Sequence, residues 1–167
     1  MFKQRLTTQQ IVVHCTATRP DMDVGAEWID GVHRTRPDMR CPIGYHGVIR
    51  RGAPRFEQGR PWDAIGAHSR GNNHNSVGLV LAGGVDNKGR AENNFLAAQF
   101  DLLEAVLLTL QARYGKLPVV GHRDLSPDLD GDGVVERNEW LKECPCFDVQ
   151  EWWAGRMATH WSGSWQS

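Results

Sequence analysis

Two apolar runs in this chain end on histidine. Ile11-Val12-Val13 leads into His14, and Leu117, Val119 and Val120 lead into His122. Short runs this rich in β-branched residues read as buried strands. Side chains alternate along a strand, so His14 and Cys15 point to opposite faces. Three further strands follow from similar patterns. Gly44 to Arg50 leads into one, Arg51-Gly52 makes a turn, and Arg55-Phe56-Glu57 returns. Val77 to Leu81 is another, closed by Gly83-Gly84.

Helical spacing separates these strands. Trp28, Ile29 and Val32 mark one face of a helix from about Gly25 to Arg36. Leu96, Phe100, Leu103, Leu107 and Leu110 recur at three- and four-residue steps in a helix that reaches Tyr114. Gly115 suits the position after its last turn, and Pro118 sits just beyond. A last helix covers Asp148 to about Ala154, with Trp152 and Trp153 partly buried. Strands interleaved with helices predict an α/β fold: one domain, a central mixed β-sheet and flanking α-helices. Ligands bind at strand ends in such sheets, and here those ends carry His14, His46 and His122. The irregular stretch from Gly59 to Ser76 is long for a loop inside a domain, which marks it as functional. It holds Trp62, His68, His74 and Asn75.

A length of 167 residues fits a single domain. A net charge of −1 gives no electrostatic footprint for nucleic acid or an anionic membrane. No apolar stretch is long enough for membrane insertion. Met1 to Gln10 is polar and lacks the apolar core of a secretory signal, so the expected site of synthesis is the cytoplasm. In that compartment the four cysteines serve as ligands or buried thiols rather than disulfides. Cys15 reads as core, and Cys41 as a free or packed thiol. The tail, 156–167, alternates small, polar and Trp residues and reads as poorly ordered. A monomer is expected.

The segment from Gly121 to Phe147 concentrates imidazole, carboxylate and thiolate groups. Their order suggests two metal sites of different character. The hard site is an EF-hand-like loop over residues 128–139. Oxygen ligands at positions 1, 3 and 5, glycine at 6 and glutamate at 12 are the calcium pattern. The expected Ca2+ ligands are Asp128, Asp130, Asp132, the Val134 carbonyl, Glu136 and a bidentate Glu139. Ser126-Pro127 leaves no entering helix, while a helical turn from about Asn138 to Lys142 is expected to leave the loop. The soft site needs three nitrogen or sulfur ligands and an open position, the zinc arrangement of hydrolases. His14, His122 and one of two cysteines, Cys144 or Cys146, would supply them. A lone histidine at a strand end is more often a satisfied core residue, so spacing alone does not assign this site.

A resemblance does. The chain resembles the zinc-dependent N-acetylmuramoyl-L-alanine amidases of the phage endolysin type, with peptidoglycan recognition proteins as more distant relatives. The resemblance is carried by Val13-His14-Cys15-Thr16, Gly44-Tyr45-His46, Gly66-Ala67-His68, Asn73-His74-Asn75-Ser76-Val77-Gly78, Gly121-His122-Arg123-Asp124 and Cys144-Pro145-Cys146-Phe147-Asp148. It implies Zn2+ held by His14, His122 and Cys144, the cysteine directly before proline. It implies Tyr45 and Lys142 as the catalytic pair, one assisting the attacking water and the other facing the oxyanion. The implied reaction cleaves the amide between N-acetylmuramic acid and L-alanine in peptidoglycan, after release from the host cytoplasm. His68 and Asn75 are expected to line the substrate groove, His46 to lie behind the site, and His74 to be solvated. His33 and His160 carry no signal. The acidic loop lies outside what the resemblance implies, since relatives manage with a shorter connection. Two other readings are a recognition module without catalysis and a calcium-dependent interaction protein. The complete set of ligand-type residues favours catalysis.

Overall fold

The sheet is built around one long parallel pair. β1 (Gln10–Cys15) runs beside β4 (Ser76–Leu81), with Gln10 opposite Ser76 and Cys15 opposite Leu81. On the other side of β1, also parallel, lies β5 (Val119–Gly121). β2 (Gly47–Ile49) pairs parallel with β4, and β3 (Phe56–Gln58) closes that edge antiparallel to β2. The order β3-β2-β4-β1-β5 is the expected mixed sheet. The structure, a computed structural model, describes residues 2–162, with side chains described through residue 159.

The two faces of the sheet are covered separately. Ile11, Val13, Ile49, Val77, Leu79, Leu81 and Val119 pack against α2 (Ala97–Tyr114) through Leu103, Leu107 and Leu110. Phe147 and Val149, at the start of α3 (Val149–Ser162), complete this layer. On the other face Val48 and Val80 pack against Ile29 of α1 (Ala26–Thr35) and Ile43. These central side chains are fully buried. Truncating one such leucine to alanine in a close-packed core costs about 2–5 kcal/mol.

Several boundaries differ from expectation. The second strand is ordered as a ladder only over Gly47–Ile49, because Tyr45 and His46 spend their carbonyls on Arg60 N and Gly59 N of the incoming loop. In α1 the buried face runs through Ile29 and His33, and Trp28 turns outward at 45% exposure. α3 continues through Ser162 rather than stopping at Ala154, so the helix occupies the first part of the expected loose tail. Residues 163–167 of that tail lie outside the described residues.

The long stretch from Gly59 to Ser76 has little regular structure. Buried cations organise it instead. Arg5 donates to the carbonyls of Trp62 (2.7 Å), Ala64 (2.8 Å) and Ser76 (3.2 Å). Arg60 donates to those of Ile43 and Ile65, both at 2.6 Å. Loop carbonyls that would otherwise be orphaned are thereby satisfied. His46 does the same from the sheet. Its Nδ1 accepts from Gly78 N at 2.9 Å, so Nε2 carries the proton and donates to Ala64 O at 2.8 Å.

Burial, with Arg5 and Arg60 nearby, pushes the His46 pKa down to about 4. Buried His33 is also shifted down, chiefly by desolvation. In the unfolded chain a histidine titrates near 6.5. Neutral, buried His46 therefore contributes stability that is complete above that value and is lost as pH falls toward 4. Melting followed by circular dichroism should show Tm falling steadily from pH 7 to pH 4. Asparagine at position 46 should lower Tm at pH 7 yet make the fall with acid shallower.

Candidate metal centre and active cleft

His14 sits one residue from the end of β1, and His122 opens a 3-10 turn (His122–Leu125) directly after β5. Because β1 and β5 run parallel side by side, the two rings meet with centroids 4.5 Å apart. The third group arrives from the chain that returns along this edge. Arg123 N donates to Cys144 O at 2.8 Å, which brings the cysteine thiol to 3.9 Å from His14 Nδ1. Cys15 N also donates to Cys144 Sγ at 3.3 Å. A Cβ at Gly121 would sit 2.9 Å from Pro145 Cδ, so the strand end and the returning segment close only around glycine.

Ligand atoms of His14, His122 and Cys144 lie within 4.8 Å of one another. Two imidazoles and a thiolate are a zinc-type donor set, and three donors leave a fourth position open. Both imidazoles are held neutral, the form that can donate to a metal. Burial first, then the neighbouring histidines and Lys142, depresses His14 well below its ordinary value. Burial and then Lys142 takes His122 down to about 4. Of the two candidate cysteines, Cys144 stands in this group. Cys146 lies on the opposite face, donating to Gly84 O at 3.1 Å with its sulfur 3.8 Å from Cys15 Sγ. His14 and Cys15 thus point to opposite faces, as strand alternation requires.

The free edge of the His14 ring is fixed from beneath. His14 Nε2 is 3.0 Å from His68 Nδ1, and His68 Nε2 is 3.4 Å from Ser76 Oγ. The Ser76 hydroxyl in turn donates to Asn72 O at 2.5 Å. These contacts give one consistent chain of donors: His14 Nε2–H to His68 Nδ1, His68 Nε2–H to Ser76 Oγ, Ser76 O–H to Asn72 O. It leaves His14 Nδ1 bare toward Cys144 and His122. Burial also holds His68 well below its ordinary pKa, so it stays neutral within this chain. Its ring is wedged between two glycines. A Cβ at Gly66 or at Gly78 would come within 2.4 Å of it.

Above this floor lies a cleft of about 720 Å3, lined among others by Arg36, Tyr45, Arg70, Asn73 and Lys142. The Tyr45 ring is 5.1 Å from that of His14. Burial raises the Tyr45 pKa, so its phenol remains a donor at neutral pH. His33 supports it from behind, 5.4 Å ring to ring, while its Nδ1 accepts from Gly44 N at 2.9 Å. No sequence signal pointed to His33, although its place four residues after Ile29 on an amphipathic helix was a clue to burial.

The groove residues expected from sequence do not both reach the cleft. His68 is 9% exposed and serves as the support of His14, with only an edge on the cavity. Asn75 lies away from it, its Nδ2 donating to Gln9 Oε1 at 2.9 Å. Asn73 takes the expected position, and its Oδ1 accepts from His68 N and Ser69 N. His74 is exposed.

In the acidic loop, carboxylate oxygens of Asp128, Asp130 and Glu139 lie within 4.8 Å of one another, while those of Asp132 and Glu136 stand outside that group. Glu139 is buried, accepting from Leu129 N at 2.6 Å and Glu136 N at 2.9 Å. Asp128 accepts from Gly131 N and from Gly133 N, and Gly133 has the positive φ of 91° that this turn requires. The expected helical turn after the loop is a 3-10 turn at Arg137–Glu139. Trp140 then packs under Arg123, 4.0 Å from its guanidinium, and Leu141 N donates to Ser126 Oγ. These contacts turn the chain back before Lys142, so a longer helix has no room.

Comparison with known proteins places this architecture. The endolysin of Enterobacteria phage T3 is 39% identical over 152 residues, covering 91% of this chain and 89% of that protein. The solved structure of the endolysin amidase LysCS from Clostridium intestinale superposes with a TM-score of 0.70 at 24% identity, over 94% of this chain and 88% of that one. The bumblebee peptidoglycan recognition protein PGRP-SA shares the fold with a TM-score of 0.67 at 18% identity, over 90% and 83%. The N-acetylmuramoyl-L-alanine amidase family matches residues 4–145. The chain belongs to the N-acetylmuramoyl-L-alanine amidase family.

Proposed function

We propose that this amidase is an endolysin-type peptidoglycan hydrolase that works with zinc held by His14, His122 and Cys144. It cleaves the amide joining the lactyl group of N-acetylmuramic acid to L-alanine. The observation that carries the zinc reading is the three-donor group, with neutral imidazoles, open to the cleft beside Tyr45. Bound there, zinc supplies a Lewis acid and lowers the pKa of water toward 7.

The residues of the chain do the rest. His68 fixes the tautomer and orientation of His14. Tyr45, protonated and beside His14, donates a hydrogen bond that orients the attacking water. Lys142 lines the cleft and brings positive charge to the carbonyl oxygen as it becomes an oxyanion. The water's hydroxyl adds to the lactyl carbonyl, and its remaining proton leaves with the L-alanine amine. Arg70 in the cleft suits a carboxylate of a stem peptide, while Arg36 is ion-paired with Asp38 at 2.6 Å.

We also assign the loop at residues 128–139 to calcium. Asp128, Asp130 and Glu139 form its nucleus, and ordering by the ion would draw in Asp132, the Val134 carbonyl and Glu136. Without a cation these carboxylates repel one another. Trp140 against Arg123, next to His122, couples the loop to the metal centre.

Four measurements check this. Digestion of purified peptidoglycan, followed by mass spectrometry, should release L-alanine amino termini and no new reducing sugars. Alanine at position 144 should abolish both zinc content and activity, whereas alanine at 142 should keep zinc and lose about 10²–10³-fold in kcat. Retained zinc in the Cys144 variant would refute the ligand set. Replacing His68 by alanine should weaken zinc binding about 10–100-fold in a chelator competition, with circular dichroism unchanged. Removing calcium on a chelating resin, with zinc resupplied, should lower Tm. An unchanged Tm would eliminate the calcium assignment.

A further inference from the structure

Beyond the Thr16-Ala17 ridge lies a second groove of about 580 Å3. Thr18, Met22 and Trp28 line one side, and Val85, Asn87 and Lys88 the other. Thr16 and Ala17 border both this groove and the catalytic cleft, so the two adjoin along one ridge. The volume falls within the roughly 300–1,000 Å3 of sites that hold small ligands.

Three observations mark it as a prepared surface. Its walls are fixed. Thr16 Oγ1 lies 2.7 Å from Thr18 Oγ1 and accepts from Gly83 N at 3.0 Å, while Thr18 N donates to Gly83 O at 3.2 Å. The facing turn is pinned by Asp86, which accepts from Lys88 N at 2.8 Å and Arg90 N at 2.9 Å. Next, Ala17 is held at a φ of 53°, a left-handed conformation that costs a residue with a side chain. Such strain gathers where a ligand is clamped. Last, Trp28 is the single aromatic among the exposed large apolar side chains of the described residues.

The occupant follows from the cleft, and this step rests on the amidase reading. The scissile amide hangs from a sugar that is linked on both sides in a polymer. With the lactyl carbonyl at His14, His122 and Cys144, the glycan must leave past the rim. Arg70 and Lys142, with Arg36 paired to Asp38, leave the cleft a positive balance suited to a carboxylate-bearing peptide. The Trp28 groove offers a flat apolar plate ringed by polar groups, among them Lys88 and Arg19, the latter ion-paired with Asp21. That combination fits a neutral sugar ring, with C–H bonds on its face and hydroxyl and acetamido groups at its edge. We propose that the groove of Trp28, Asn87 and Lys88 is a glycan subsite, holding the N-acetylhexosamine next to the muramic acid under attack.

The test uses glycan strands stripped of their peptides, titrated calorimetrically into the zinc-loaded full chain. Wild type should bind, Trp28→Ala at least about tenfold more weakly, and Trp28→Phe nearly as well as wild type, tenfold being about 1.4 kcal/mol. Asn87→Ala, on an exposed turn, should also weaken binding. On intact sacculi Trp28→Ala should lose kcat/KM by a similar factor, while hydrolysis of a single-sugar muramoyl peptide stays unchanged. Wild type that ignores the stripped strands, or Trp28→Ala that binds them as wild type does, overturns the subsite. Wild type that binds the strands yet releases no L-alanine amino termini overturns the amidase reading and leaves the subsite standing.

Discussion

The parallel pairing of β1 with β5 is the constraint on which the site depends. Ile11 N bonds Pro118 O, and from that register His14 and His122 emerge from adjacent strand ends. A one-residue slip would turn the two imidazoles to opposite faces. The register is secured by apolar burial, because Ile11, Val13 and Val119 all face α2 and the start of α3. The hydrophobic core therefore sets the distance between two ligands that take no part in it.

The third candidate ligand depends on a different kind of force. Cys144 is held by polar contacts: its carbonyl on Arg123 N, and its sulfur on Cys15 N. Arg123 also donates to Asp148 at 3.2 Å and lies over Trp140. One buried cation thus links the turn that follows β5, the end of the acidic loop and the start of α3. The metal centre has one wall fixed by the sheet and one fixed by this arginine. The second wall stiffens only as far as the loop before it is ordered.

The sheet and its helices were readable because each has a periodic signal, whereas the group of His14, His122 and Cys144 was indicated only by the family resemblance. Alternation put His14 and Cys15 on opposite faces, and the apolar stripe of α2 was unmistakable from Leu103, Leu107 and Leu110. What was not readable was the support beneath the site. His68 looked like a groove residue because it sits in a long loop, and loops usually carry contacts outward. Its inward turn depends on the room left by Gly66, two residues before it, and by Gly78 of β4, and neither glycine announces that role as a pattern. Asn75 and Asn73 differ by two positions in the same loop, and only the backbone turn decides which one faces the cleft. Trp28 failed in the opposite sense. Aromatic residues at helical spacing usually mark the buried face, and here the buried positions are Ile29 and His33.

The wedge of His68 between Gly66 and Gly78 makes the polypeptide backbone itself the bed on which the His14 imidazole rests. Gly78 lies inside β4, paired with Val12, in the most buried strand of the sheet. Drift at surrounding side chains reaches His14 from below only through His68, whose ring is clasped by the backbone at Gly66 and Gly78. Loops around the cleft are then at liberty to vary with the cell wall they meet, while the position of the reacting centre is inherited from the sheet.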